Sequence, residues 1–290
     1  KKLRECRWDN EHFVILCPLH ASSKLPCECS TSRPTKVKSN QKGKNPQRQT
    51  QLGVNNGTKR NLKNFDRSSE KVVLCCSGLS ATEKETVSEF AKASGALVLT
   101  TWNSAVTHVI ASVDANEACR RTLKVLMGIL EGKWILTIKW VEACTKAVAL
   151  VDEAPYEISR DIHGVKYGPR LGRLRHQNKE PKLFAGFKFY LSGDFAPSYK
   201  GYLQDLLIAA GGTILQRKPI AESNGAAASV PPTIIIYSVE LPEKCDVKKK
   251  DMILARRRSD AEVLASATGS KVADNLWALR CIAGHKLQDL

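Results

Sequence analysis

The sequence predicts an α/β chain: two copies of a small parallel sheet flanked by helices, in tandem. Three observations carry this. Short apolar runs alternate with segments of helical period from residue 72 onward, which implies parallel strands joined by helical crossovers. A set of landmarks then occurs twice in the same order. Composition also changes sharply near residue 70, which sets a polar basic stretch apart from the folded part.

In the first copy, Val72 to Cys76 reads as a buried strand and Ser77-Gly78-Leu79 as a turn. Ser80 with Glu83 forms a capping box, so a helix begins there, runs to about Ser94 and stops at Gly95. Ala96 to Thr100 and Thr107 to Ala111 read as strands, and Asn116 to Leu130 as a second helix. Trp134 to Ile138 is a fourth strand and Trp140 to Lys146 a third helix. In the second copy Phe187 to Leu191 is a strand ending in Ser192-Gly193. A helix covers Leu203 to Ala210, and strands cover Thr213 to Leu215 and Thr233 to Tyr237. Gly132 precedes Trp140, and Gly269 precedes Trp277, by eight residues each; Trp140 and Cys144 match Trp277 and Cys281. The second copy is longer by about 22 residues, placed around 221–231 and 240–268.

The expected domain boundaries are 1–29 cysteine-rich, 30–69 basic linker, 70–158 first domain, 159–181 inter-domain linker and 182–290 second domain. Residues 30–69 hold ten Lys or Arg against Asp66 alone and almost nothing apolar, so a disordered linker is expected. The whole chain of 290 residues carries 45 Lys and Arg against 29 Asp and Glu, a net +16, which suits a polyanionic partner. No apolar run approaches a membrane span, so no membrane association is expected. The opening Lys1-Lys2-Leu3-Arg4 has no apolar region behind it, and the chain lacks an initiator Met. No secretory signal is therefore expected, and a fragment of something longer is. The ten cysteines then read as reduced thiols, those from Cys75 onward as small buried hydrophobes. Cys17 and His20 have the two-residue gap that lets two side chains bind one zinc, and a complete site needs four ligands.

Enzyme patterns fail. No Gly-x-Ser-x-Gly surrounds a serine, and Gly128 to Lys133 has the wrong spacing for a phosphate loop. His108 sits in an apolar strand as a core histidine, and Trp140 and Trp277 read as core. A non-enzymatic chain is expected.

These residues resemble tandem BRCT domains. The resemblance rests on the Ser-Gly turn after the first strand, Ala93-Ser94-Gly95-Ala96, Thr107-His108-Val109, Arg121-Thr122-Leu123-Lys124, Gly132-Lys133-Trp134 and the Trp-x-x-x-Cys of each third helix. Together they span about 220 residues. Glu5 to Asn10 through Cys17-Pro18-Leu19-His20 resembles the tail of an extended PHD zinc finger. A zinc finger followed by tandem BRCT resembles the C-terminal layout of a plant group of RING-type DNA-repair proteins with two sister branches. The resemblance implies a zinc ion whose last ligands are Cys17 and His20, the rest lying outside this chain. It implies a phosphoserine site made by Ser77, Gly78 and Lys124, with Thr122 supporting the phosphate and Arg121 contacting the peptide backbone toward the +3 side chain. It also implies phosphorylated protein partners, a RING-domain partner bound through a region outside this chain, homologous-recombination repair and a nuclear location.

Taken alone, Ser77-Gly78 reads as a turn; Lys124 at the position the family uses turns it into a candidate site. Ser77-Gly78 stands where a strand gives way to a helix N-terminus, a place that favours anions, and Lys124 adds a mobile ammonium. Ser192-Gly193 is followed by Asp194, whose carboxylate repels phosphate, so the second copy is expected to be structural. Phe195-Ala196-Pro197-Ser198 departs from the animal pattern of the +3 pocket and leaves that preference open. The alternative is a nucleosome or DNA binder in which charge dominates and the phosphate pocket is vestigial.

Overall fold

The computed structural model describes residues 71–220, 232–241 and 245–290. The zinc-ligand pair Cys17 and His20 and the basic linker 30–69 lie outside the described residues.

In the first domain β1 (Val73–Ser77) leads through Gly78 into α1 (Ala81–Ser94). The capping box is present as expected: Ser80 Oγ accepts from Glu83 N–H, and the Glu83 carboxylate accepts from Ser80 N–H at 2.7 Å. Gly95 ends the helix in the left-handed region, at φ 79°. Then follow β2 (Leu97–Leu99), β3 (His108–Ala111) and the two-residue β4 (Ala118–Cys119). α2 (Leu123–Leu130), β5 (Trp134–Leu136) and α3 (Ile138–Ala147) complete the domain. α2 begins seven residues later than the apolar period suggests. Asn116 to Thr122 are spent on a turn, on β4 and on Thr122, the N-cap whose hydroxyl accepts from Val125 N–H.

The sheet is parallel, in the order β2-β1-β3-β5. Side chains on β1 alternate between its faces. Leu74 joins Phe90, Ile110 and Trp140 under α1 and α3, while Cys75 joins Val109, Val125 and Ile129 under α2.

The stretch between domains is structured. It carries β6 (Arg160–Asp161), which pairs with β4, and α4 (Gly168–Gln177). The second domain has β7 (Lys188–Ser192), α5 (Pro197–Ala209), β8 (Thr213–Ile214), β9 (Thr233–Tyr237), α6 (Val247–Thr268), β10 (Lys271–Asp274) and α7 (Asn275–Gly284). Its parallel sheet runs β8-β7-β9-β10, the order of the first. α5 begins six residues earlier than the sequence suggests, with Pro197 in its first turn, where a missing N–H costs nothing. Much of the extra 240–268 stretch is α6, which lays Ala261 and Ala265 on Ile235 and leaves Lys249, Arg256 and Arg258 exposed.

Two details show that the repeat is physical. Trp140 Nε1 donates to Val151 O at 3.0 Å, and Val151 N–H donates to Cys144 Sγ at 3.4 Å. Trp277 Nε1 donates to Gln288 O at 3.1 Å, and Gln288 N–H donates to Cys281 Sγ at 3.3 Å. Each Trp-x-x-x-Cys thus grips both backbone groups of the residue eleven positions after its tryptophan, tying the returning chain to its last helix.

The largest core is shared by the two domains. α2 is apolar on nearly every side; Val125 and Ile129 face its own sheet, while Leu126 and Leu130 join Phe184, Leu203, Leu207 and Ile282 of the second domain. α4 wedges against both sides. A Cβ on Gly168 would collide with Ala283 O, and one on Gly172 with Ile129 O, so only glycine admits this approach. Arg173 makes a two-point pair with Glu157 and lies 3.6 Å over the Trp134 ring, while Arg175 donates to His285 O at 3.2 Å.

Candidate functional site

The C-terminal end of β1 and the N-terminus of α2 meet beside the first sheet. In the sheet Ser77 lies next to Ala111, and Cys76 next to Ile110. Ser77 is buried, and its Oγ is 2.6 Å from Thr122 Oγ1. Thr122 is at once the N-cap of α2 and the neighbour of Ser77, so one hydroxyl fixes both the helix start and the serine. Lys124 is half-buried, and its Nζ donates to Cys76 O at 2.9 Å, one residue before Ser77. Lys124 also lowers the Cys75 thiol somewhat, although burial pushes that thiol up on balance. Gly78 is exposed at φ 69°, and a Cβ there would come within 2.7 Å of Ser112 Oγ. The fold therefore brings Ser77, Gly78, Thr122 and Lys124 together from positions up to 47 residues apart, at a helix N-terminus where N–H groups and the helix dipole favour an anion.

Arg121 is placed differently from the other four. Its side chain is buried, and Nε donates to Asp161 Oδ2 at 2.5 Å. Nη2 is buried without a hydrogen-bond partner. Asp161 was not singled out in the sequence; its signal there is only an acid just after Arg160 in a basic stretch.

The matching corner of the second domain is built otherwise. Ser192 lies beside Tyr237 rather than an alanine, and Asp194 follows Gly193. Phe195 stacks with Tyr199 at 6.3 Å and packs against the shared core. His108 is a core residue: it stacks on Trp140 at 4.9 Å, its Nδ1 lies 2.7 Å from Thr107 Oγ1, and its Nε2 lies 3.2 Å from Glu153, which its contact holds below the usual carboxylate range. Among the described residues no group of three His, Cys, Asp or Glu could hold a metal, and no helix is long and apolar enough to cross a membrane.

The profile of the BRCA1 C Terminus (BRCT) domain matches residues 69–145. These residues belong to the BRCT family. The second sheet repeats the strand order of the first, and α7 repeats its Trp-Cys grip on the returning chain, so the folded part is two tandem BRCT domains. Over 288 residues, 99% of its length, the chain is 50% identical to the BREAST CANCER SUSCEPTIBILITY 1 homolog of Arabidopsis thaliana, of which it covers 29%. It is 40% identical over 290 residues to BRCA1-associated RING domain protein 1 of Arabidopsis thaliana, covering 39% of it. The chain thus spans well under half the length of either. Human BRCA1-associated RING domain protein 1 is 41% identical over 153 residues, 53% of this chain and 18% of that protein. Among solved structures, the BRCT5-BRCT6 domains of S. pombe Brc1 cover 76% of this chain and 95% of their own, at 16% identity and a TM-score of 0.45.

Proposed function

We propose that this tandem BRCT is a non-enzymatic reader of phosphoserine peptides in a nuclear DNA-damage response. One observation carries the reading: Ser77, Thr122 and Lys124 are tied to one corner of the first domain, at the N-terminus of α2, beside the exposed Gly78. A phosphate there would accept from the Ser77 hydroxyl and the Gly78 N–H, with Lys124 turning from Cys76 O as the third donor. Homologous-recombination repair, pairing with a RING partner and a zinc ion held in part by Cys17 and His20 are what the family resemblance of the sequence motifs implies, and belong to the same proposal.

Calorimetry with a phosphoserine peptide and its unphosphorylated twin tests it. Lys124→Ala removes a charge-assisted contact and is expected to cost about 1.5 kcal/mol of affinity, the low end for such bonds because Lys124 is half-exposed. Ser77→Ala removes one neutral donor and is expected to cost about 1 kcal/mol. Both variants should remain folded. Equal affinity for the two peptides would falsify the reading.

A nucleosome or DNA contact is the second reading. It is favoured by α6, where Lys249, Arg256 and Arg258 face solvent, although Arg256 pairs with Asp260 and Arg258 with Glu262. In that case DNA binds in place of the peptide and weakens steeply with salt.

A further inference from the structure

We propose that Asp161, in the stretch between the two domains, is a positioning residue for the phosphate corner and acts through Arg121. The inference rests on the phosphopeptide reading above.

The two oxygens of Asp161 have separate tasks. Oδ1 accepts from the backbone N–H of His163 and of Val165, both at 2.9 Å, and so folds the loop after β6. Oδ2 accepts from Arg121 Nε at 2.5 Å, with both side chains almost fully buried. Arg121 is joined by one peptide bond to Thr122, whose hydroxyl caps α2 and meets Ser77, and Lys124 follows two residues later. The same connection is reinforced along the backbone. β4 pairs with β6 through Ala118–Arg160 and Cys119–Asp161, and Ile162 N–H donates to Cys119 O at 3.0 Å. The segment that delivers Thr122 and Lys124 is therefore held from the inter-domain side, not from its own sheet alone.

Arg121 depends on this partner. A buried guanidinium is stable only when paired. Nε is taken by Asp161, and Nη2 has no partner among the described residues. The nearby imidazole of His163 is held below its ordinary range, by burial first and then by the charge of Arg121. Without the Asp161 carboxylate, Arg121 has reason to turn toward water. The backbone at 120–122 would move with it, and the Ser77–Thr122 contact would loosen. The arrangement thus links the state of the inter-domain stretch to the geometry of a phosphate site on one domain.

Asp161→Asn is a selective probe. It keeps an acceptor for the His163 and Val165 N–H groups and replaces only the oxygen that faces Arg121. The test is a double-variant cycle in the tandem protein: the parent, Asp161→Asn, Arg121→Met, and the two combined. Each is titrated with a phosphoserine peptide and its unphosphorylated twin, well below every melting midpoint. Asp161→Asn alone should weaken the phosphopeptide roughly tenfold, as couplings between contacting residues do, and leave the twin unchanged. In the Arg121→Met background the same change should weaken it no further. The combined variant carries no buried charge at the pair and so remains measurable even if Asp161→Asn alone unfolds. An equal loss with and without Arg121, or no loss in a parent that does prefer the phosphopeptide, overturns the positioning role. A parent that does not distinguish the two peptides overturns the phosphopeptide reading itself, and this inference with it.

Discussion

At the scale of single residues, paired contacts set the geometry of the candidate site. Thr122 shows how one hydroxyl can serve a helix cap and the proposed phosphate corner together. Ser77, Gly78 and Lys124 were legible in the sequence because each residue type has a reason to face an anion. The burial of Ser77 was not, because a Ser-Gly turn carries no mark of the threonine 45 positions later that covers it. Arg121 is marked in the sequence by the family resemblance alone, and its place in a buried pair is not marked at all, since nothing local points to Asp161. Another buried group yields a pH prediction. His285 ends α7 in the left-handed region, at φ 45°, and its Nδ1 is buried without a partner. Burial, and after it the charge of Arg175, push its imidazole down to about 4 from 6.5. A histidine whose folded value is depressed takes up its proton more readily when unfolded. Its contribution is therefore fully present above the unfolded value and declines as pH falls from about 6.5 toward 4. The loss by pH 4 is on the order of 3 kcal/mol. Melting followed from pH 7.5 to 4 should show it. His285→Asn, which tolerates the left-handed backbone, should flatten the difference between the ends of that range.

At the scale of elements, the sequence revealed the strands and helices whose periods are clean and misplaced those whose limits depend on caps and partners. α1 was legible at both ends because its capping box and its C-terminal glycine are local chemistry. The helical period of the sequence carries α2 back to Asn116, seven residues before its observed start, because Asn116 to Thr122 are used by a turn, by β4, whose partner β6 is some forty residues away, and by the N-cap. α4 was hidden because its inner face is Gly168, Pro169 and Gly172, with no apolar period to see. Those glycines give a paired test. In α4, Gly172→Ala adds a methyl that meets the backbone oxygen of Ile129, an atom that cannot step aside. The expected loss is about 1–3 kcal/mol, from overpacking that outweighs the gain in helix propensity. In α5, Gly201→Ala adds the same methyl with nothing within 4 Å. It should stabilise by roughly 0.5–1 kcal/mol. Urea denaturation of the two variants beside the parent measures both, and the same sign for both would show that the close approach of α4 is not what holds it.

At the scale of the whole molecule, the shared core is expected to make the two domains one folding unit in spite of their repeat. Each half has the strand order of the other, which suggests two independent bodies. The packing of α2 says otherwise: Leu126 and Leu130 lie in the second domain's core, with Leu123 and Met127 against it, and α4 is clamped between Ile129 and Ala283. Cutting the chain after residue 158 would return those side chains to water. At about 25 cal/mol per Å² of apolar surface, four such groups amount to roughly 3–5 kcal/mol, a large part of the 5–15 kcal/mol that holds a typical domain folded. Residues 71–158 alone should therefore melt well below the tandem chain and self-associate through α2. The tandem chain should unfold in one calorimetric transition whose van't Hoff and calorimetric enthalpies agree. Two resolved transitions, with the lower one unchanged when the second domain is removed, would mean that the proposed phosphate corner belongs to a self-sufficient first domain. Its link to the inter-domain stretch would then have to survive on the Arg121–Asp161 pair and the β4–β6 ladder alone.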